Sequence, residues 1–124
     1  LSGIDQIKKE LGNDNDPVAT IQKIVSEVWG IHVWEMLKYN NEARVTVPRK
    51  AGMYLACCYQ SGSTQYIAER FNRTDHSTVV YACRTCRNLL ETKDLVFTEK
   101  FNLSKRTLDK IFFPKEIYCL DYQI

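Results

Sequence analysis

With 124 residues, of which 44% are hydrophobic and 26% charged, the chain has the composition of an ordinary single-domain globular protein and not of a disordered one. It contains no stretch near the roughly 18 consecutive apolar residues of a membrane-spanning helix, and no recognisable signal peptide. Its five cysteines, mostly within helical apolar stripes, indicate a reducing compartment and not a disulfide framework, so we expect a cytoplasmic protein. The net charge of +2 says little about partners until it is divided along the chain.

Positive charge is concentrated in the middle of the sequence. Residues 1–43 contain four basic and seven acidic residues, residues 44–93 contain eight and three, and residues 94–124 contain five and five. A basic central segment favours a polyanionic partner, because such a partner releases counterions when it binds. The alternative interpretation is a basic face that is merely solvated.

The first helices are marked by their capping residues. Apolar residues at helical spacing in residues 1–15, closed by Gly12, predict a short leading helix or linker. Asp16 is a predicted N-cap, Pro17 suits the first helical position, and Gly30 is a predicted stop, so we expect a helix from Pro17 to about Trp29. A brief helix over residues 33–37 should follow and close near Lys38.

A polar loop over residues 39–47 is the next expectation, with Arg44 near its end and Pro48 opening the following helix. That helix, PRKAGMYLACCYQ, is apolar on several faces, which predicts that it is the most enclosed one. Ser61 and Gly62 should terminate it.

Residues 63–90 carry the pattern around which the rest of the chain is organised. Ser63 or Thr64 can cap a short helix, residues 72–74 form a polar turn, and Asp75 or Thr74 can cap a longer helix with a regular apolar stripe. Two helices joined by a tight polar turn, with arginines on the exposed face of the second, are typical of a helix-turn-helix.

The end of the chain is less clearly patterned. Residues 91–94 predict a break, and a further helix carrying Phe97, Phe101 and Leu108 is expected, with an interruption near Asn102 and an end at Pro114. Residues 114–124 form a tail that suits either a terminal strand or a docking segment. We therefore divide the chain into a leading segment 1–15, a domain 16–113 and a tail 114–124.

The sequence offers no support for catalysis, a metal or a cofactor. It lacks a Walker-type phosphate loop, and neither of the two histidines has a partner suggesting a catalytic or metal site. Cys83 and Cys86, with Cys57 and Cys58 as a second pair, have a spacing that invites a zinc interpretation. Because zinc ligands more often lie on turns, we interpret these cysteines as small core residues.

The segment FNRTDHSTV at residues 71–79, followed by Ala82 and Cys83, resembles the signature F-G-G-R-D-H-T-T-V of the C-terminal DNA-binding domain of the bacterial replication initiator DnaA. The resemblance extends from about Pro17 to Leu108. It implies an all-α, Trp-repressor-like bundle of about six helices that recognises a short DNA duplex. It further implies recognition-helix contacts in the major groove and an arginine from a basic loop in the minor groove.

Carried over to this chain, the resemblance implies contacts with the major groove from residues 74–84 and with the DNA backbone from residues 44–50 and 63–64. Asp75 can accept a hydrogen bond from cytosine, and small hydroxyls can meet base edges. Arg49 and Lys50 are expected at the start of a helix, where they could hold a phosphate. The candidate contact residues are Arg44, Arg49, Lys50, Ser63, Thr64, Arg73, Thr74, Asp75, His76, Ser77, Thr78, Tyr81 and Arg84.

Two departures from the family pattern bear on specificity. Thr74 stands where the family has an arginine, with Arg73 one residue earlier, and the family's basic loop is here Tyr-Asn-Asn-Glu-Ala-Arg at residues 39–44. Minor-groove recognition is therefore expected to be weaker or to rely on Arg44. The chain is either part of an initiator or a regulatory or mobile-element protein that uses the same domain.

Two other functions are compatible with the sequence. One is a protein-interaction module that keeps the helices, has lost DNA binding, and makes contact through the apolar tail. The other is attachment to an anionic membrane through the amphipathic helix at Pro17–Trp29, which carries few basic residues.

Overall fold

The structure, a computed structural model, describes residues 16–112. They form six helices, with no strand in this part of the chain: α1 (Pro17–Trp29), α2 (Val33–Leu37), α3 (Ala43–Cys58), α4 (Thr64–Arg70), α5 (Ser77–Glu91) and α6 (Leu95–Phe112). The all-α architecture predicted from the sequence is confirmed. The predicted leading helix and the tail from residue 114 lie outside the described residues.

The ends of α1 follow the local signals in the sequence. Asp16 accepts a hydrogen bond from the backbone N–H of Ala19, Pro17 occupies the first helical position, and Gly30 ends the helix with a left-handed φ of 71°. The left-handed conformation carries no steric penalty for glycine. The predicted bounds of this helix are therefore confirmed.

Helix α3 is the centre of the fold and packs chiefly on α5 and α1. Every residue from Ala51 to Cys58 is buried, which confirms that this helix is the enclosed one. Gly52 lies so close to α4 that a Cβ there would stand 3.0 Å from the Phe71 ring. The fully buried rings of Tyr54 and Phe101 stack with centroids 5.6 Å apart and join α3 to α6.

The prediction that Pro48 opens α3 is wrong, since the helix begins at Ala43. The N–H groups of Val45 and Thr46 both donate to the carbonyl of Glu42 at 2.9 Å and close a first turn ahead of the proline. Pro48 cannot donate to the preceding turn, but its φ is compatible with a helix. The burial of Val45 and Pro48 compensates for the missing hydrogen bond.

Helix α6 runs unbroken from Leu95 to Phe112, so the interruption predicted near Asn102 does not occur. Its apolar face is continuous through Phe97, Phe101 and Leu108, and burial of these residues outweighs the weak helix propensity of one exposed asparagine.

The apolar face of α1 faces inward. Val18, Ile21, Ile24 and Val25 are fully buried in the core. A membrane could reach them only if the domain opened, so the structure contradicts the membrane-attachment hypothesis. No helix within residues 16–112 is long and apolar enough to cross a bilayer.

Candidate nucleic-acid interface

Helices α4 and α5 are held at a fixed turn by backbone and side-chain hydrogen bonds. Ser63 caps α4 by accepting from the N–H of Tyr66 at 3.1 Å, as predicted. Asn72 has a left-handed φ of 59°, and its side-chain amide donates to the carbonyl of Leu37 at 3.0 Å. The N–H of Arg73 donates to the carbonyl of Ala68 at 2.8 Å. The turn is thus anchored both to α4 and to α2.

The start of α5 presents an exposed polar tip, which we define as residues 74–78. Thr74, Asp75, His76 and Ser77 are exposed, and Thr78 is half-buried. Asp75 Oδ1 accepts from the N–H of Ser77 at 3.0 Å, and this hydrogen bond lowers the pKa of Asp75. The N-cap position of α5 is therefore occupied by His76 and not by Asp75 or Thr74 as predicted. The Asp75 carboxylate, one residue earlier, still satisfies an unpaired helix N–H and is ionised at neutral pH.

The imidazole of His76 projects beside this carboxylate, with Nδ1 3.4 Å from Asp75 Oδ1 and 62% of the side chain exposed. His76 occupies the position before the helix and makes no capping hydrogen bond with its side chain. The tip thus combines a carboxylate acceptor, an imidazole and three hydroxyls. Carboxylates and hydroxyls are among the side-chain groups that contact base edges.

Lys50 and Tyr81 lie side by side next to the tip. The Lys50 ammonium stands 4.9 Å from the centre of the Tyr81 ring, and that ring is 56% exposed. The Tyr81 side chain therefore lies at the protein surface and does not cover the core. Further along α5, Arg84 and Arg87 are exposed. These residues give the face around the tip a positive charge.

A cavity of about 400 Å³ opens between the start of α3, the residue 39–41 loop and α5. Three of its lining side chains are cationic, and none of its lining residues is acidic. Such a cavity favours an anionic group, because no carboxylate compensates its charge. The lining residues that matter here are Tyr39, Arg49, Lys50, Arg73, Thr78 and Tyr81.

Arg49 does not stand at a helix start and is only 6% exposed, contrary to the prediction of an open phosphate contact. Its guanidinium donates to the backbone carbonyls of Met36 at 2.8 Å, Lys38 at 3.0 Å and Asn40 at 3.1 Å. Burial, and then the nearby Arg73, lower the pKa of Arg49 to about 10, so it remains charged at neutral pH. Its structural role is to fasten the loop after α2 onto α3.

Arg44 lies in the first turn of α3 and not in a loop as predicted, and acidic residues hold its side chain. It donates to Glu35 Oε1 at 2.8 Å, and its Nε stands 3.4 Å from Glu42 Oε2. The hydrogen bond from the His32 N–H, and then Arg44, lower the pKa of Glu35. Because the Arg44 side chain is 56% exposed, this ion pair can exchange for a phosphate.

The Arg73 side chain is bound by the loop that precedes α3. Its guanidinium donates to the carbonyls of Lys38 at 2.9 Å and Asn72 at 3.1 Å and lies 5.0 Å from the centre of the Tyr39 ring. Thr74 remains exposed beside the tip, and its carbonyl accepts from the Gln65 side chain at 3.2 Å. The displaced arginine therefore supports the loop and lines the cavity.

Tyr39 is a surface residue that the sequence analysis did not single out. It is 82% exposed and lines the same cavity as Lys50 and Thr78. An aromatic residue at the start of a polar loop was the available signal, but its position relative to Thr78, 39 residues later, depends on the fold.

The cysteines of α3 and α5 are buried in the core. Cys57, Cys58, Cys83 and Cys86 are free thiols, and the sulfurs of Cys57 and Cys83 stand 3.7 Å apart. Burial raises the pKa of Cys86. Among residues 16–112 no group of three or more histidine, cysteine or acidic side chains is placed to hold a metal ion.

Comparison with known proteins assigns the chain to a family. The family described as bacterial DnaA protein helix-turn-helix matches residues 18–86. The chromosomal replication initiator protein DnaA of Gluconobacter oxydans (strain 621H) is 31% identical over 112 residues, which cover 88% of this chain and 23% of that protein. The protein of that name from Rickettsia akari (strain Hartford) is 31% identical over 111 residues, covering 87% and 24%.

A third relative, the DnaA protein of Streptococcus mutans serotype c, is 33% identical over 78 residues, or 63% of this chain and 17% of that protein. The chain thus spans at most about a quarter of the length of these three relatives. The matched segment includes α4, the turn, and α5 as far as Cys86.

Proposed function

Because this chain belongs to the bacterial DnaA helix-turn-helix family, we propose that it binds double-stranded DNA sequence-specifically, with the residue 74–78 tip in the major groove. The observation that carries the proposal is the tip itself, a set of largely exposed polar side chains at the start of α5, in which a hydrogen bond fixes the Asp75 carboxylate. Helix capping accounts for Asp75, but it does not account for the exposed Thr74, His76 and Ser77 side chains beside it.

The surroundings of the tip support the same partner. Lys50, Arg84 and Arg87 lie near it or along α5, and a cationic cavity adjoins Thr78. Phosphate contacts of this kind position a protein on the duplex, whereas the tip would provide base recognition. Arg44, Ser63 and Thr64 are proposed as further backbone contacts. The role of the Arg49 side chain is limited to supporting this surface.

The biological role follows from the DNA site that is bound. We infer replication initiation, or a related regulatory or mobile-element role, in the bacterial cytoplasm at the nucleoid. The matched domain is of a DNA-binding type and not a catalytic one, which agrees with a function in binding.

The test is fluorescence anisotropy of the full chain with a DnaA-box duplex and a scrambled duplex across a salt series. We expect binding that weakens with salt and prefers one duplex sequence. Ser77→Ala and His76→Ala should reduce the preference for the box. Arg106→Ala, an exposed arginine on α6, is the control and should change neither affinity nor preference.

Binding without preference for the box would call for selection from random duplexes, and a selected sequence would uphold sequence-specific binding. Failure to bind any duplex at low salt would overturn the proposal and favour the protein-interaction alternative.

A further inference from the structure

Tyr39 is the most solvent-exposed of the large hydrophobic side chains in the described part of the chain, at 82%. Single exposed aromatic residues are common and need no explanation. Tyr39 differs because its ring is supported: the Arg73 guanidinium lies 5.0 Å from its centre and is itself tied to the carbonyl of Lys38 at 2.9 Å. The Tyr39 ring is thus held by an anchored arginine and remains exposed to solvent.

The loop that carries Tyr39 is also held. Asn40 Oδ1 accepts from the N–H of Glu42 at 2.9 Å, and the carbonyls of Lys38 and Asn40 both accept from Arg49. A contact residue on such a loop loses little conformational freedom when it binds. The hydrogen bonds therefore prepare Tyr39 for contact with a partner.

Tyr39 shares one cavity with the DNA-facing side of α5. Thr78, the last residue of the tip, lines it together with Lys50 and Tyr81. Three of the lining side chains are cationic and none is acidic, so the cavity attracts a phosphate to its opening. A strand whose phosphate lies there brings its sugar and base edges next to Tyr39.

We propose that Tyr39 contacts the duplex directly, with its ring packed against the sugar and base edges of the strand whose phosphate lies over the cavity. This inference rests on the proposed function and deepens it. It assigns part of the recognition to an aromatic ring on a loop that has few basic residues. A neutral ring makes a contact whose strength does not depend on counterion release.

Binding of the full chain to its preferred duplex, measured across a salt series, tests the proposal. Tyr39→Ala should weaken binding about tenfold, the scale of an aromatic–base contact. The slope of affinity against salt should stay unchanged, because no charge is lost. Lys50→Ala should instead lower that slope by about one. Tyr39→Phe should bind within about twofold of wild type.

Leu95→Ala is the matched control. Leu95 is 75% exposed and follows α5, whose 15 residues separate it from the tip by roughly 21 Å. Its replacement should leave binding unchanged. If wild type binds and Tyr39→Ala binds equally well, the inference fails while the proposed function stands. If wild type does not bind, the proposed function has failed.

A second measurement distinguishes direct contact of Tyr39 with DNA from an effect of Tyr39→Ala on the neighbouring Arg73. Photocrosslinking of wild-type protein to duplexes carrying 5-iodouracil at successive positions, followed by peptide mapping, should recover an adduct on Tyr39. Adducts on α5 alone, with none on Tyr39 at any position, would overturn the inference.

Discussion

The guanidinium of Arg70 donates to Asp16 Oδ1 across 2.7 Å and joins residues 54 positions apart in the chain. Asp16 is the N-cap of α1, and Arg70 lies in the last turn of α4, the first helix of the helix-turn-helix. A second bond reinforces this connection, since the Gln22 side chain donates to the carbonyl of Arg70 at 2.8 Å. One carboxylate therefore starts α1 and also positions the helix-turn-helix against it.

Two substitutions separate the roles of Asp16. Asp16→Asn keeps an effective N-cap but loses the charge that pairs with Arg70, whereas Asp16→Ala loses both. We expect the free energy of unfolding to fall by about 1 kcal/mol for Asp16→Asn and by about 2 kcal/mol for Asp16→Ala. Urea denaturation measures both. Equal losses would mean that the capping hydrogen bond contributes nothing, and an Asp16→Asn variant as stable as wild type would mean that the charge contributes nothing.

The same ion pair predicts a pH dependence of stability. The hydrogen bond from Arg70 lowers the pKa of Asp16 below its value in the unfolded chain. The stabilisation is therefore fully present above the unfolded pKa of about 4 and is lost as pH falls through the lower folded pKa. The difference in unfolding free energy between wild type and Asp16→Asn should shrink between about pH 6 and pH 3. A constant difference over this range would contradict the assignment.

Gly52→Ala tests the close approach of α3 to α4. Alanine favours a helix over glycine by about 1 kcal/mol, but its Cβ would stand 3.0 Å from Phe71 Cζ and 3.1 Å from Cε2. Phe71 is fully buried and has little room to move. We expect a net loss of about 1–2 kcal/mol in unfolding free energy. Phe71→Leu should relieve this close contact, because leucine is smaller than phenylalanine. In a double-mutant cycle, Gly52→Ala should therefore lower the unfolding free energy less in the Phe71→Leu background than in wild type.

Arg49 should be required for stability. Arg49→Met removes the Arg49 donor from the carbonyls of Met36 and Asn40 and leaves the Lys38 carbonyl with its bond from Arg73. We expect a cost of about 2–4 kcal/mol in the free energy of unfolding, measured by chemical denaturation. Arg49→Lys should rescue only part of this, because an ammonium cannot reproduce the planar fork of donors. A fully stable Arg49→Met variant that binds DNA weakly would instead restore the predicted phosphate contact.

Replacing Arg84 tests whether this exposed side chain contacts DNA or is only solvated. If it meets a phosphate, Arg84→Ala should reduce the salt dependence of duplex binding by about one counterion and weaken all sequences alike. Arg106→Ala removes the same charge from α6 and serves as the control. Identical salt slopes for the two variants would show that Arg84 is only solvated.

Much of the fold was predictable because its signals are local. The cap at Asp16, the stop at Gly30 and the cap at Ser63 are each defined by a few neighbouring residues, and the structure confirms all three. The polar tip was likewise readable from residues 74–78. Errors arose where packing outweighed local preference. Local rules place Pro48 at the start of a helix, but in the structure it is buried inside α3.

The site was harder to predict for a related reason. Arg49 looked like an exposed basic residue, because nothing near it in the sequence shows that three carbonyls from residues 36–40 surround its guanidinium. The cavity brings together side chains from the residue 39–41 loop, α3, the turn and α5.

The chain's local chemistry therefore specified an all-α domain, most helix ends and the tip that would meet DNA. Folding determined which cations face solvent, which support the backbone, and that Tyr39 lines the same cavity as Thr78. The reason is physical. Capping and periodicity depend on residues within a few positions of one another, whereas burial and charge environment depend on neighbours that are close only in the folded molecule.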